Sequence, residues 1–341
     1  MTVPGGASLA CGGVTRVTVA STHRRRGLLR AMMRRQLDDM HQRGEPLAGL
    51  LASEAAIYGR FGYGLATYQA DLEIDRAYAD FVGPAAGGRI SMLDAPDAVR
   101  SFSRVWERAR KRQPAMLRLD EPHWREQLSD IESRRGGYSP HYRVLYEADG
   151  EPQGFATYRI KMDWDTGPRG ELRIDALITT SSQAYAALWR YLLNVDLISK
   201  VRAWMRPPEE PIRFLLSDSR QPKTTIEDGI WLRLVDVPAA LERRRYASEG
   251  RLVLAIRDEF CPWNDGVFEV EGGPEGARCR KSDSPPDIEI GAGDLASIYL
   301  GGNRVHILQD AGRLTEKRAG AVARAEAMFA VERAPWCPTH F

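Results

Sequence analysis

An alternating β-branched run, Val17, Thr18 and Val19, gives way to Ala20 and the polar Ser21 and Thr22, then to Arg24, Arg25, Arg26 and Gly27. An amphipathic helix follows without a spacer. This junction constrains the fold more than any other stretch, because strand, basic turn and helix start must sit end to end. The first turn of a helix leaves main-chain N–H groups unpaired and carries the positive end of the helix dipole. Anions settle there, and a pyrophosphate fits well. Gly27 permits close approach of a ligand to the backbone, and the arginines add charge. Residues 26–42 read as the helix, with Leu28, Leu29, Met32, Met33, Leu37 and Met40 on its apolar side. From the basic cluster alone, a solvated helix start on a protein surface is the plain alternative.

The next segments narrow the choice. Residues 46–52 read as a short buried strand, and residues 53–64 as a short helix with a glycine-punctuated exit. The order is strand, anion turn, helix, strand, helix with Tyr58. Residues 24–29 resemble the coenzyme A pyrophosphate loop of GNAT acetyltransferases, whose usual pattern is Arg/Gln-x-x-Gly-x-Gly/Ala. Leu29 departs from the final small residue. With that departure, the runs His23-Arg24-Arg25-Arg26-Gly27-Leu28-Leu29-Arg30-Ala31-Met32 and Ile57-Tyr58-Gly59-Arg60-Phe61-Gly62-Tyr63-Gly64 resemble the Eis (enhanced intracellular survival) branch. The layout of the chain is similar to that branch as far as Phe341.

A chain of 341 residues is long for one core and suits two or three domains. Its formal net charge of +2 is nearly balanced and argues against a nucleic-acid binder. A second basic cluster, Arg243, Arg244 and Arg245, follows Pro238 on an expected helix and reads as a solvated face. Cys11, Cys261, Cys279 and Cys337 are far apart and lack metal-ligand spacing, as do the dispersed histidines, so no metal is expected and free thiols in the cytoplasm are. No apolar stretch is long enough to span a membrane. Neither a Gly-x-Ser-x-Gly elbow nor a Walker loop occurs.

Further along, residues 65–75 alternate as an exit strand, and residues 83–88 form a Gly/Ala/Pro linker and a first boundary. Helices are expected over 95–111, with Val99, Phe102, Val105 and Trp106 inward, and over 122–134. Residues 142–147 and 153–160 flank an Asp149-Gly150 turn and read as a hairpin. A strand over 171–178 then precedes a helix over 184–195 capped by Ser181 or Ser182. This order matches a second, degenerate GNAT unit. Its junction, Thr179 to Ala184, has neither Gly nor Arg and is poorly built for pyrophosphate. From about 226 the style changes. Strands are expected over 251–256, 266–270 and 287–290, and helices over 292–300 and 314–329. The fold class is therefore α/β (α+β), with a partial GNAT domain over 1–82, a degenerate GNAT-like domain over 83–225, and a part over 226–341 that resembles a sterol-carrier-protein-like domain. That last name describes the fold and is no evidence for lipid binding.

The resemblance implies an acetyl-CoA-dependent N-acetyltransferase acting on a primary amine such as an aminoglycoside-like compound, a polyamine or a lysine. Val17, Thr18 and Val19 would hold the pantetheine arm; Arg25, Arg26, Gly27, Leu28, Leu29 and Arg30 the phosphates; Ser53 and Glu54 would also touch the cofactor. Tyr58 would protonate the coenzyme A sulfur, and a core tyrosine is its plain structural reading. In the family the C-terminal carboxylate accepts the amine proton, here on Phe341; a frayed tail is the ordinary fate of such an end. His340 stands where the family often carries an acid, so polycationic aminoglycosides are expected to be less favoured. The family forms hexamers, which implies a homohexamer. Few residues precede Val17, so the first GNAT domain is expected to lack its first half, through a misassigned start or a real loss. Two other classes stay open: a scaffold derived from such an enzyme, and a lipid carrier using the third domain.

Overall fold

The computed structural model describes residues 1–84, 87–164 and 169–341. Of the expected linker, Ala85 and Ala86 lie outside the described residues. The chain divides into two compact units. The first takes residues 1–68, 113–117 and 228–341; the second takes 69–112 and 118–227. Among the described residues the strands form sheets of four, seven and five strands.

In the first unit, β1 (Cys11–Gly13) leads through a basic turn to α1 (Leu28–Gln42), β2 (Leu47–Leu51), α2 (Ala55–Tyr58) and β3 (Gly64–Leu65). β1 and β2 are parallel, and the distant strand Ile230–Leu234 inserts antiparallel between β2 and β3. Both faces of this sheet are covered, so β2 is buried along nearly its whole length rather than alternating. Ala48 and Leu50 face α1, joining Met33, Leu37 and Met40, while Leu47, Leu232 and Leu234 join the core of the C-terminal part. That part is a five-stranded sheet built on Gly250–Arg257, Gly266–Gly273, Gly276–Lys281, Ile288–Gly291 and Leu314–Glu316. The expected helix over 314–329 is in fact the strand Leu314–Glu316, a turn, and a helix over Ala321–Phe329 that starts at Gly320 with φ +81°. Leu314 and Thr315 pair with Ile290 and Glu289, so sheet pairing overrides a helical pattern there. The expected solvated face at Arg243–Arg245 also needs correction. Arg243 and Arg245 are exposed, but Arg244 is fully buried.

The second unit is a seven-stranded sheet with Ala95–Arg110, Glu121–Gln127 and Ser182–Leu193 packed on it. Asp149 and Gly150 both have positive φ, at 53° and 76°, and close the hairpin of Tyr142–Ala148 with Glu151–Lys161. The strand expected over 65–75 breaks at Ala66 and Thr67; β3 stays in the first unit and Tyr68–Asp75 joins the seven-stranded sheet. The helix expected over 122–134 stops at Gln127 and resumes only as a short turn at Glu132–Arg134. Asp120 caps it, its side chain accepting from the His123 N–H. Ser181 rather than Ser182 caps the next helix, accepting from the Ala184 N–H at 3.2 Å.

Candidate active site

β1 and β2 pair from Cys11 with Leu47 to Gly13 with Gly49, and the Val14 N–H still donates to the Gly49 carbonyl at 2.9 Å. There the strands part. Arg16 takes φ 54°, outside the extended region, and ends the pleat. Val17, Thr18 and Val19 therefore do not lie in a paired strand, which corrects the reading of that run as a regular one. Among the described residues, the main chain of 15–19 makes no hydrogen bond within the protein. Free N–H and C=O groups beside parting strands are what an amide-bearing ligand arm needs to bind as an added strand.

The basic turn follows. Ser21–His23 form a 3-10 turn, Arg25 takes φ 62° and Gly27 takes φ 76° before α1 begins at Leu28. No side chain caps α1, and a Cβ added at Gly27 would meet nothing within 4 Å, so the turn opens outward. Arg24, Arg25, Arg26 and Leu28 are exposed there. Leu28 and Met32, expected on the apolar side, are exposed instead. They stand one turn apart on a stripe flanking the buried one of Met33, Leu37 and Met40. Leu29 is half-buried against that core. The Arg30 guanidinium lies 5.3 Å from the centroid of the Phe260 ring. An uncapped helix start with two left-handed residues before it and arginines around it fits a pyrophosphate.

Ser53 and Glu54 are exposed just after β2. Tyr58, the last residue of α2, is buried in the apolar cluster that holds Val14, with Val17 packed against it. The Tyr63 ring meets it edge-on at 6.1 Å. The Tyr63 hydroxyl is buried without a partner, and burial pushes its phenol well above the ordinary range, against the pull of Arg233. Arg233 pairs with Asp258 in the interior. A Cβ at Gly62 would come within 2.2 Å of that guanidinium, so glycine is needed in the exit turn. Asp258 in turn accepts from the main-chain N–H groups of Phe260 at 3.2 Å and Cys261 at 2.9 Å.

The C-terminal tail is not frayed. The Gln113 side chain donates to the Ala334 carbonyl at 2.7 Å, and the Trp336 N–H to the Pro114 carbonyl at 3.0 Å. Trp336, Cys337 and Thr339 are buried and His340 is exposed. The Phe341 ring is half-buried, and a Cβ at Gly13 would touch it at 3.6 Å. The last residue thus lies against β1 where the strands part. Burial pushes the Cys11 thiol up to about 12 and Cys337 up to about 11, so neither is a ready nucleophile. A cleft of about 780 Å³ lies beside the site, lined by Arg60, Tyr63, Trp231, Arg257, Asp294 and Asn303 among others; Tyr58, Phe341 and the basic turn do not line it.

The second unit repeats the arrangement without the opening. Gly170–Thr179 and Ile198–Arg206 are parallel and pair no further than Ile174 with Ala203. Arg206 fills the gap beyond, donating to the Leu177 carbonyl at 2.7 Å and to Glu210 at 3.1 Å, all buried.

A GNAT acetyltransferase family profile matches residues 1–66, another GNAT profile matches 115–234, and a sterol carrier protein profile matches 237–338. The chain is 37% identical over 343 residues to the N-acetyltransferase Eis of Mycobacterium tuberculosis, covering 97% of this chain and 80% of that one. It belongs to the Eis-like GNAT N-acetyltransferases. An uncharacterized N-acetyltransferase of Streptomyces avermitilis is 42% identical over 345 residues, covering all of this chain and 84% of that one. The crystal structure of Eis1 from Mycobacterium abscessus superposes with a TM-score of 0.89 at 34% identity, covering 100% of this chain and 84% of that one. The Eis-like family thus accounts for both GNAT units and the C-terminal part. Residues that sequence reasoning missed are Arg34, Arg233, Asp258 and Phe260. Their contacts join positions far apart in the chain, and no local pattern announces them.

Proposed function

We propose that this N-acetyltransferase moves the acetyl group of acetyl-CoA directly to a primary amine, aminoglycoside-like, polyamine or lysine. The observation that carries the reading is the parting of β1 and β2 at Gly13, with Phe341 against that point and Tyr58 in the cluster that contacts Val17. The free main chain of Val17, Thr18 and Val19 holds the pantetheine arm. Arg25, Arg26, Gly27, Leu28, Leu29 and Arg30 form the turn and helix start that take the phosphates. Ser53 and Glu54 border the cofactor from the end of β2. The neutral amine attacks the thioester carbonyl carbon, a C–N bond forms and the C–S bond breaks. The carboxylate of Phe341 takes the amine proton, and the Tyr58 hydroxyl gives its proton to the departing sulfur.

The division into 1–82, 83–225 and 226–341 is proposed as the chain's family layout. The middle part serves as scaffold, since Arg206 occupies the gap that a pantetheine arm would need. A cytoplasmic homohexamer is proposed from the family resemblance. Titration calorimetry with acetyl-CoA and a thiol-release assay against a panel of amines test the reading. Tyr58→Phe is expected to lower turnover at least about tenfold while coenzyme A binding survives, in keeping with the general-acid term. Unchanged turnover removes Tyr58 from that role, and no heat with acetyl-CoA removes the enzyme reading.

A further inference from the structure

Phe260 lies in the C-terminal part of the chain, outside both stretches that match GNAT profiles. It is buried, and it touches both elements assigned to the donor site. On one side the Arg34 guanidinium of α1 lies 4.1 Å from its ring centroid and donates a hydrogen bond to its carbonyl; Arg30 lies over the same ring at 5.3 Å. On the other side its ring packs against Phe61 at 5.0 Å, three residues beyond Tyr58. The backbone at Phe260 has little freedom, because Asp258 accepts its N–H and that of Cys261, and Asp258 is itself paired with the buried Arg233. A second stitch lies further along α1, where His41 stacks on Trp263 at 4.4 Å and Trp263 donates to the Val235 carbonyl at 2.7 Å.

These contacts form one continuous chain from α1 to the tyrosine segment. An aromatic face attracts a guanidinium above it, and more strongly where water is excluded. Small displacements of a binding group cost much of its effect, so whatever fixes α1 relative to α2 fixes the donor's diphosphate relative to the acid. We propose that Phe260 is the positioning residue that holds α1, and with it the phosphate grip, in register with the Tyr58 segment. This rests on the reading of the Gly27 turn as the phosphate site. It assigns the C-terminal part an indirect share in donor binding, through a residue that touches no substrate.

The test is a double-mutant cycle on the full chain, read by coenzyme A titration calorimetry with thermal melting in parallel. Phe260→Leu keeps bulk and removes the aromatic face; Arg34→Met keeps the stem and removes the charge. Each is expected to raise the dissociation constant for coenzyme A about threefold to tenfold, the scale of a desolvated cation–π contact. The double variant should lose less than the sum of the two single losses, since both remove the Arg34–Phe260 cation–π contact. Phe260→Trp should restore binding, a rescue that loss of packing alone does not explain. Unchanged affinity in both single variants, or additive losses in the double, overturns the proposal. If Phe260→Leu fails to fold, Arg34→Met and Phe260→Trp decide it alone. A wild-type chain that binds no coenzyme A would instead overturn the phosphate site itself, a separate outcome.

Discussion

At the residue scale, Arg244 shows how a basic cluster hides a core residue. Its guanidinium donates to the carbonyls of Tyr299 and Phe329, the last residues of two helices, and lies 4.4 Å from the Phe329 ring and 4.6 Å from the Tyr246 ring. Burial pulls its pKa down, yet the negative ends of two helix dipoles stand in for a carboxylate. Arg244→Met should destabilise the first unit by about 3 kcal/mol, because two buried helix-end carbonyls lose their donor. Denaturant unfolding measures this, and a change below about 1 kcal/mol would show that the carbonyls find other partners. Nothing in Arg243-Arg244-Arg245 distinguishes the buried member, since charge runs usually face solvent. Tyr58 and Gly27 behave oppositely. Their neighbours are local signals: Gly27 adopts its φ of 76° freely directly before α1, and Tyr58 closes the short helix read over that stretch.

At the element scale, local rules worked where the local signal was strong. The Asp149-Gly150 hairpin and the serine cap are set within four residues; the hairpin stands as read, and of the two serines offered Ser181 is the cap. The strand Leu314–Glu316 was not legible, because its partner lies at Ile288–Gly291. The short helix ending at Gln127 is followed by Asp130, which ties this segment to the sheet. Burial opposes its charge, but hydrogen bonds from Arg135 at 2.8 Å and Arg159 at 2.6 Å prevail and hold its carboxyl down at about 2. A carboxylate depressed in the folded state stabilises above its unfolded value of 3.8 and loses that contribution as pH falls toward about 2. The second unit should therefore weaken between about pH 4 and pH 2, and Asp130→Asn should flatten that part of the profile. Urea midpoints measured across this window check it; equal slopes in both proteins would assign the acid sensitivity elsewhere.

At the scale of the whole molecule, the first unit gathers the chain's two ends into one body. Ile230–Leu234 completes the sheet begun by β1 and β2, and the tail reaches Gly13 past Pro114. A peptide tag of about ten residues added after Phe341 removes the carboxylate from that position; on the proposed mechanism, which puts the acceptor-side base there and the donor grip elsewhere, it should abolish acetyl transfer while coenzyme A binding stays within about twofold. A C-terminally extended protein with full turnover would place the base elsewhere.

The sequence by itself determined the order of basic turn, helix, strand and short helix ending at Tyr58, and the second junction's lack of glycine and arginine. Each depends on neighbours a few positions apart, where spacing and residue type carry the physics. Tertiary structure alone decided that β1 parts from β2 at Gly13, that Arg206 fills the equivalent gap, that Arg244 is buried, and that Phe260 stands between Arg34 and Phe61. Those outcomes depend on which distant segments pack together, and burial and pairing energies are fixed only once the chain has closed on itself.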